Sequence, residues 1–296
     1  MGVMLKRTFL AVAALVAFST PAAAQQGIDP ALFVVRDADS TMYLYGTVHV
    51  RPSGADWGDD DVRAALVQAE EIWTEVLMTP ESEAQTQQLA LQYGRAPAGR
   101  PLSSWLSAGD NTRLNTLTTR LGIPTGALEQ LQPWLASLTL SIVPILQAGY
   151  SPTSGVDRQI DAYGDANGRT MRSFETAEQQ LGFFAGLSDD LQRQLLLETI
   201  NETENGVAMI NAMTAAWERG DLESLEAAVI NDTREQYPEL YNVIFVQRNN
   251  AWMDVLVQEM NGAGVDFVAV GAGHLLGSDG LVEQFRARGY TVERAE

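Results

Sequence analysis

The run Val265-Asp266-Phe267-Val268-Ala269-Val270, followed by Gly271-Ala272-Gly273-His274, decides the fold. Every residue of the run except Asp266 is apolar, the pattern of a strand covered on both faces rather than the alternation of a half-exposed one. Such a strand belongs inside an α/β sheet. Downstream, Leu281 to Arg288 reads as a helix and Tyr290 to Glu293 as a closing strand. At the other end of the chain, Leu32 to Arg36 and Met42 to Tyr45 are β-rich runs joined by the polar turn Asp37-Ala38-Asp39-Ser40, which predicts a hairpin.

Between these ends the periodicity changes. A helix is expected from Asp60 to Glu70, capped by Asp59 or Asp60, and a short strand from Ile72 to Val76. Residues 81–150 show no convincing strand; Leu114, Leu117 and Leu121, then Leu128, Leu131, Leu135 and Leu138, recur at helical spacing. Val156 to Ala166 reads as a helix leading to a strand at Thr170 to Phe174. Helical sequence then runs from Ala177 to Glu259, interrupted near Gly206, Gly220 and Pro238. The expectation is an α/β fold with a central mixed sheet formed by the N- and C-terminal segments. A large helical insertion, about residues 81–150 and 177–259, completes a single domain over residues 25–296.

Residues 1–24 carry Lys6 and Arg7, an apolar run from Phe9 to Phe18, and Ala22-Ala23-Ala24, the layout of a secretory signal peptide cleaved after Ala24. A periplasmic or secreted protein is therefore expected, with no stable membrane insertion after cleavage. The 296-residue chain has 19 basic and 38 acidic residues, a net charge of -19 that becomes -21 without the signal. That field repels phosphate backbones, so nucleic acid is not an expected partner, whereas cations are. With no cysteine, thiol nucleophiles, disulfides and cysteine-ligated metal are excluded.

Four polar residues fall just past predicted strands: His49 after Tyr45, Glu75 at the end of the strand from Ile72, Glu175 after Phe174, and His274 after Val270. In open α/β sheets ligands bind at that edge. The chain's two histidines each end a Gly-x-x-His tetrapeptide, Gly46-Thr47-Val48-His49 and Gly271-Ala272-Gly273-His274. Singly, each reads as a hydrogen-bonded turn residue. Together with Glu75, they make a three-ligand set with an open position for a divalent metal ion. Nitrogen and oxygen donors suit Mn, Co or Zn alike. Glu175 is either a general base or fourth ligand, or the cap of the following helix. Asp157, near a helix start where acids are favoured by the dipole, is alternatively a residue that orients a ligand. Arg248 and Asn249 could bind a substrate carboxylate or stabilise an oxyanion, or could serve as a cap and a surface ion pair. No G-x-S-x-G motif occurs, and the glycines from Gly262 to Gly273 do not make a G-x-G-x-x-G turn.

These residues carry a resemblance. Tyr43-Leu44-Tyr45-Gly46-Thr47-Val48-His49, Glu75, Pro133-Trp134, Gly155-Val156-Asp157, Phe174-Glu175-Thr176 with Gln180-Leu181, Trp217 with Gly220-Asp221, Arg248-Asn249 with Trp252, and Val268 to Leu275 with Gly289-Tyr290 follow in an order that resembles the TraB/PrgY/GumN family. That family includes the Tiki metalloproteases and is distantly similar to erythromycin esterase and ChaN-type proteins. The resemblance implies a metal-dependent peptidase or related hydrolase, with His49 and His274 as the paired histidines and Glu75 and Glu175 as the glutamates. The expected partner is a peptide or small amide or ester substrate. Two competing readings are a protein that sequesters a peptide, metal or haem without turnover, and a metal-independent esterase-like hydrolase with a histidine base. A third makes both histidines structural in an envelope interaction module.

Overall fold

The computed structural model describes residues 27–295 apart from 125 and 204, so the expected signal segment lies outside the described residues. A six-stranded sheet runs in the order β6-β4-β7-β2-β1-β8. Its strands are β1 (Leu32–Arg36), β2 (Ser40–Thr47), β4 (Glu71–Thr74), β6 (Thr170–Ser173), β7 (Gly264–Gly271) and β8 (Thr291–Arg294). Two-residue strands β3 (Arg51–Pro52) and β5 (Tyr150–Ser151) pair separately. The central strand is the apolar run: β7 lies parallel to β2 on one side and to β4 on the other, and β6 continues parallel to β4. β1 is antiparallel to both β2 and β8. The sheet is therefore mixed and built largely from the two ends of the chain, as the sequence predicts.

Side-chain alternation assigns each face its cover. Tyr45 from β2 and Phe267 and Ala269 from β7 pack against Val62, Ala65 and Leu66 of the helix Asp60–Gln68 and against Val156 and Ile160 of the helix Val156–Ala166. On the other face, Met42, Leu44, Val268 and Val270 pack against Trp252, Met253 and Leu256 of the helix Gln247–Met260 and against Leu281 and Phe285 of the helix Leu281–Ala287. That double cover explains why β7 lacks a polar face.

The intervening helices make a lobe with its own core, in which Leu114 and Leu117 meet Leu140 and Leu196. The sequence does not foresee the β3–β5 pairing inside this region; strands of two residues have no periodicity to read. Nor does it foresee π-helical turns at Ala227–Asn231 and Asn242–Val246. Among the described residues no helix is long and apolar enough to cross a membrane.

Candidate functional site

Because β2, β4, β6 and β7 are mutually parallel, their C-terminal ends share one edge of the sheet. His49 lies two residues beyond β2, Glu75 one beyond β4, Glu175 two beyond β6, and His274 three beyond β7. The expected strand Ile72 to Val76 stops at Thr74, which frees Glu75 to turn over the edge. The backbone N–H of Glu175 donates to the Glu75 carbonyl at 2.9 Å, so the two glutamates are neighbours where the β4–β6 pairing ends.

Gly271 has no side chain, and three groups close over it. A Cβ there would lie 3.0 Å from Glu75 Oε1, 3.4 Å from His49 Nε2 and 3.7 Å from His274 Cδ2. The Gly271 N–H itself donates to Glu75 Oε1 at 2.7 Å. The imidazoles and the carboxylate, separated by up to 225 positions along the chain, meet at one point.

Arg248 ties the carboxylates together. Its Nε and Nη2 donate to the two oxygens of Glu175 at 2.7 and 2.9 Å, and Nη2 also donates to Glu75 Oε2 at 2.5 Å. Trp252, one helical turn on, donates from Nε1 to Glu175 Oε1 at 3.0 Å, and Gln180 Nε2 donates to Glu75 Oε2 at 2.9 Å. Glu175 is thus no helix cap; Thr176 fills that role, accepting from the Gln179 N–H. Nor is Arg248 at the surface: it and Glu175 are buried. Burial pushes the Glu175 carboxyl up in pKa, against the opposing pull of Arg248.

The hydrogen bonds of His274 fix its tautomer. Arg248 Nη1 can only donate, and it lies 3.0 Å from Nε2, so Nε2 carries the lone pair. Nδ1–H therefore donates to Asn249 Oδ1 at 2.6 Å, while Asn249 Nδ2 donates to the carbonyl of Asp279 at 2.8 Å. Burial holds His274 neutral, with its pKa lowered to about 3, against the opposing pull of Glu75. His49 is the opposite case. Desolvation by the cavity walls works to lower its pKa, weakly because 63% of the side chain is exposed, and Asp157, whose Oδ2 lies 3.5 Å from His49 Nδ1, outweighs it and raises the pKa to about 9. Burial likewise opposes charge on Glu75, yet His274, Arg248 and His49 bring it down to about 2. The edge thus sets a neutral His274 beside an arginine cation, an ionised Glu75 and a His49 ring that Asp157 biases toward protonation.

His49, Glu75, Arg248 and His274 line a cavity of about 460 Å³ whose opposite wall is apolar, with Phe183, Phe184, Val229, Ile244 and Phe245. Asp157 lines a smaller hollow of about 260 Å³ behind His49. Asn249 lines neither; its amide positions His274. Gln180 and Trp252 are the contributions that residue-by-residue reading underrated. For Trp252 a signal existed, since its separation of four from Arg248 puts both on one helix face. Gln180 had only its place in the family motif.

A divalent ion would find donors of suitable chemistry here, one imidazole nitrogen and a carboxylate oxygen facing one point, with the second imidazole presenting its Cδ2 edge to it. His49 Nε2 and Glu75 Oε1 point there directly, but His274 Nε2 is engaged by Arg248 and would have to exchange that partner. Among the described residues no group of three or more His, Cys, Asp or Glu is already set at coordinating geometry.

No curated protein and no solved structure matches this chain. The TraB/PrgY/gumN family model does, over residues 31–294, spanning all six strands of the sheet and every residue of the edge described above. With paired Gly-x-x-His turns closing on one glutamate and a match along nearly its whole length, the chain belongs to the TraB/PrgY/gumN family.

Proposed function

We propose that this chain is a hydrolase of peptide or related amide and ester bonds, dependent on a divalent metal ion such as Mn, Co or Zn. The observation that carries the reading is the meeting of His49 Nε2, Glu75 Oε1 and the His274 ring over Gly271, at the polar end of an apolar cavity. The residue inventory supplies the reason for a metal. Hydrolysis needs a base for water, and the most buried candidates are engaged: Arg248 and Trp252 hold Glu175, the His274 lone pair accepts from Arg248, and Glu75 Oε2 accepts from Arg248 and Gln180, while Glu75 Oε1 accepts only from the Gly271 N–H and keeps a lone pair for an ion. A bound divalent ion supplies that activation by acidifying water.

The chain's own residues do the rest. Asp157 holds His49 by Nδ1, leaving Nε2 toward the cavity. Asn249 fixes the His274 tautomer in the same way. Arg248 carries positive charge at the cavity wall, where negative charge develops on a carbonyl under attack. The apolar wall excludes water from the bond being cleaved. With a leading segment removed at Ala24, the site would work in the periplasm or outside the cell.

A second reading, metal-free hydrolysis by the His49–Asp157 pair, is favoured by the Arg248 contact that occupies His274 Nε2. The two part under one experiment. Purified chain is stripped with chelator, assayed on a peptide library, and reassayed with each ion restored, alongside elemental analysis of wild type and the H49A/H274A variant. Turnover restored by Mn, Co or Zn, with metal content lost in the variant, supports the first reading. Chelator-resistant turnover abolished by His49→Ala supports the second. Absence of turnover under every ion, with peptide still bound, would leave a sequestering protein in place of either.

A further inference from the structure

The cavity at the histidines has a neighbour. Ile210 and Met213, on the helix Gly206–Glu218, line it and also line a second cavity of about 550 Å³ in the helical lobe, so the two hollows adjoin across a shared ridge, and an extended ligand lying over that ridge would occupy both as one groove. The second hollow is walled by apolar side chains such as Pro144, Ile145 and Leu195, and Met209 beside them is 52% exposed. Its charged lining has one sign: Glu198, Glu202 and Asp232 lie there, and among the described residues no lysine or arginine lines it. Both π-helical turns border the groove, with Ala228 on the far hollow and Val229, Ile244 and Phe245 on the near one. Such turns widen a helix and are used where a site is built.

Apolar walls with carboxylates at one end complement an occupant that is apolar near the histidines and basic farther along. The chain's net charge of -19 draws the same class of ligand. A fatty acid suits the walls but would bring its own carboxylate into a like-charged field or leave those acids unmatched. We infer that the groove is the substrate-binding channel of the proposed hydrolase, and that it selects extended peptides with an apolar residue at the reactive cavity and a lysine or arginine side chain seated by Glu198, Glu202 and Asp232. This rests on the hydrolase reading for the cleavage step, but not for binding.

The test uses the metal-loaded chain and three peptides that share an apolar segment and carry Lys, Gln or Glu at the distal position. The Lys peptide is expected to exceed the Gln peptide about fivefold in kcat/KM, mainly through KM, with the Glu peptide poorest. In the E198Q/E202Q/D232N variant, which leaves the histidine edge untouched, that ratio should fall to about one, with the Gln peptide processed as by wild type. Raised salt should shrink the preference in wild type. Equal use of the three peptides, or an unchanged ratio in the variant, would overturn the inference. If no peptide is cleaved, the hydrolase reading fails separately, and fluorescence anisotropy of the same labelled peptides reads the groove alone. The same Lys, Gln, Glu order in affinity, lost in the variant, supports the channel; tighter binding of dodecanoate than of the Lys peptide refutes it.

Discussion

Arg248 carries the charge balance of the edge. It alone neutralises Glu175 and shares Glu75 with Gln180 and the Gly271 N–H, and its third nitrogen fills the His274 lone pair. Removing one partner of a buried ion pair leaves an uncompensated charge, so R248A is expected to lose about 3–5 kcal/mol of stability in urea denaturation. Adding Glu175→Gln should return part of that loss, since the orphaned carboxylate then disappears. The histidines titrate apart, and this gives a pH signature. His49 stays protonated up to about 9, and a metal ion must displace that proton. Under the metal reading, ion affinity measured by calorimetry therefore rises as pH climbs toward 9. If His49 instead serves as the base of metal-free hydrolysis, the hydrolytic rate itself rises through the same range and is unmoved by chelator. At this scale the sequence was readable where residue type is rare: two histidines behind matched glycines. It marked Gln180 only as part of the family motif, without its contact to Glu75, and it left Asn249 open between a substrate contact and a cap.

At the scale of the element, the helix Val156–Ala166 shows how local structure prepares a site. Gly155 precedes it because a Cβ there would collide with the His49 carbonyl, and the Val156 N–H donates to the Val48 carbonyl at 2.9 Å. The helix N-terminus thereby clamps the His49 turn, with Asp157 on the ring and Asp161 one turn deeper. Asp161 is 7% exposed and accepts from the Met78 N–H at 3.0 Å. Burial, more than the nearby Asp157 and Asp165, raises its pKa from 3.8 to about 7. The native state therefore binds this proton more tightly than the unfolded chain does. Its stabilising effect is complete below the unfolded value and is lost as pH rises through about 7. Asp161→Asn keeps an acceptor for Met78 without the charge, so thermal unfolding at pH 8 should show the variant about 2 kcal/mol more stable, with the gap closing toward pH 5. Element identity was legible from periodicity, and the Val156–Ala166 boundaries match the sequence reading. Strand ends were less so: Glu75 and Phe174 read as strand residues, yet both lie past the last paired position, where loop geometry rather than alternation decides direction.

Over the whole molecule, the sheet is closed by residues far apart in sequence. β2 pairs with β7 along its full length, β1 pairs with β8, and the Ala295 N–H donates to the Leu32 carbonyl at 2.8 Å. The lobe of inserted helices sends Trp217 back to the sheet, where its Nε1 donates to the Gly46 carbonyl at 2.6 Å, and its Arg248 completes the edge. A core shared in this way should unfold as one unit. Calorimetry is expected to show a single transition with a van't Hoff enthalpy equal to the calorimetric one; a separate melting of the lobe would contradict that. The sheet was legible because strand-like runs cluster at both chain ends. The groove through the lobe was not, because its walls come from helices whose mutual packing leaves no trace in spacing.

Placing β7 between β2 and β4 also sets an order of events during synthesis. A nascent chain can form its first hairpin and much of its helical lobe early, yet the middle of its sheet stays vacant until residues 264–271 have left the ribosome. His274 arrives only after that strand. Until then His49 and Glu75 have no Gly271 to gather around, so a chain interrupted before its last thirty or so residues lacks the edge on which the proposed chemistry depends.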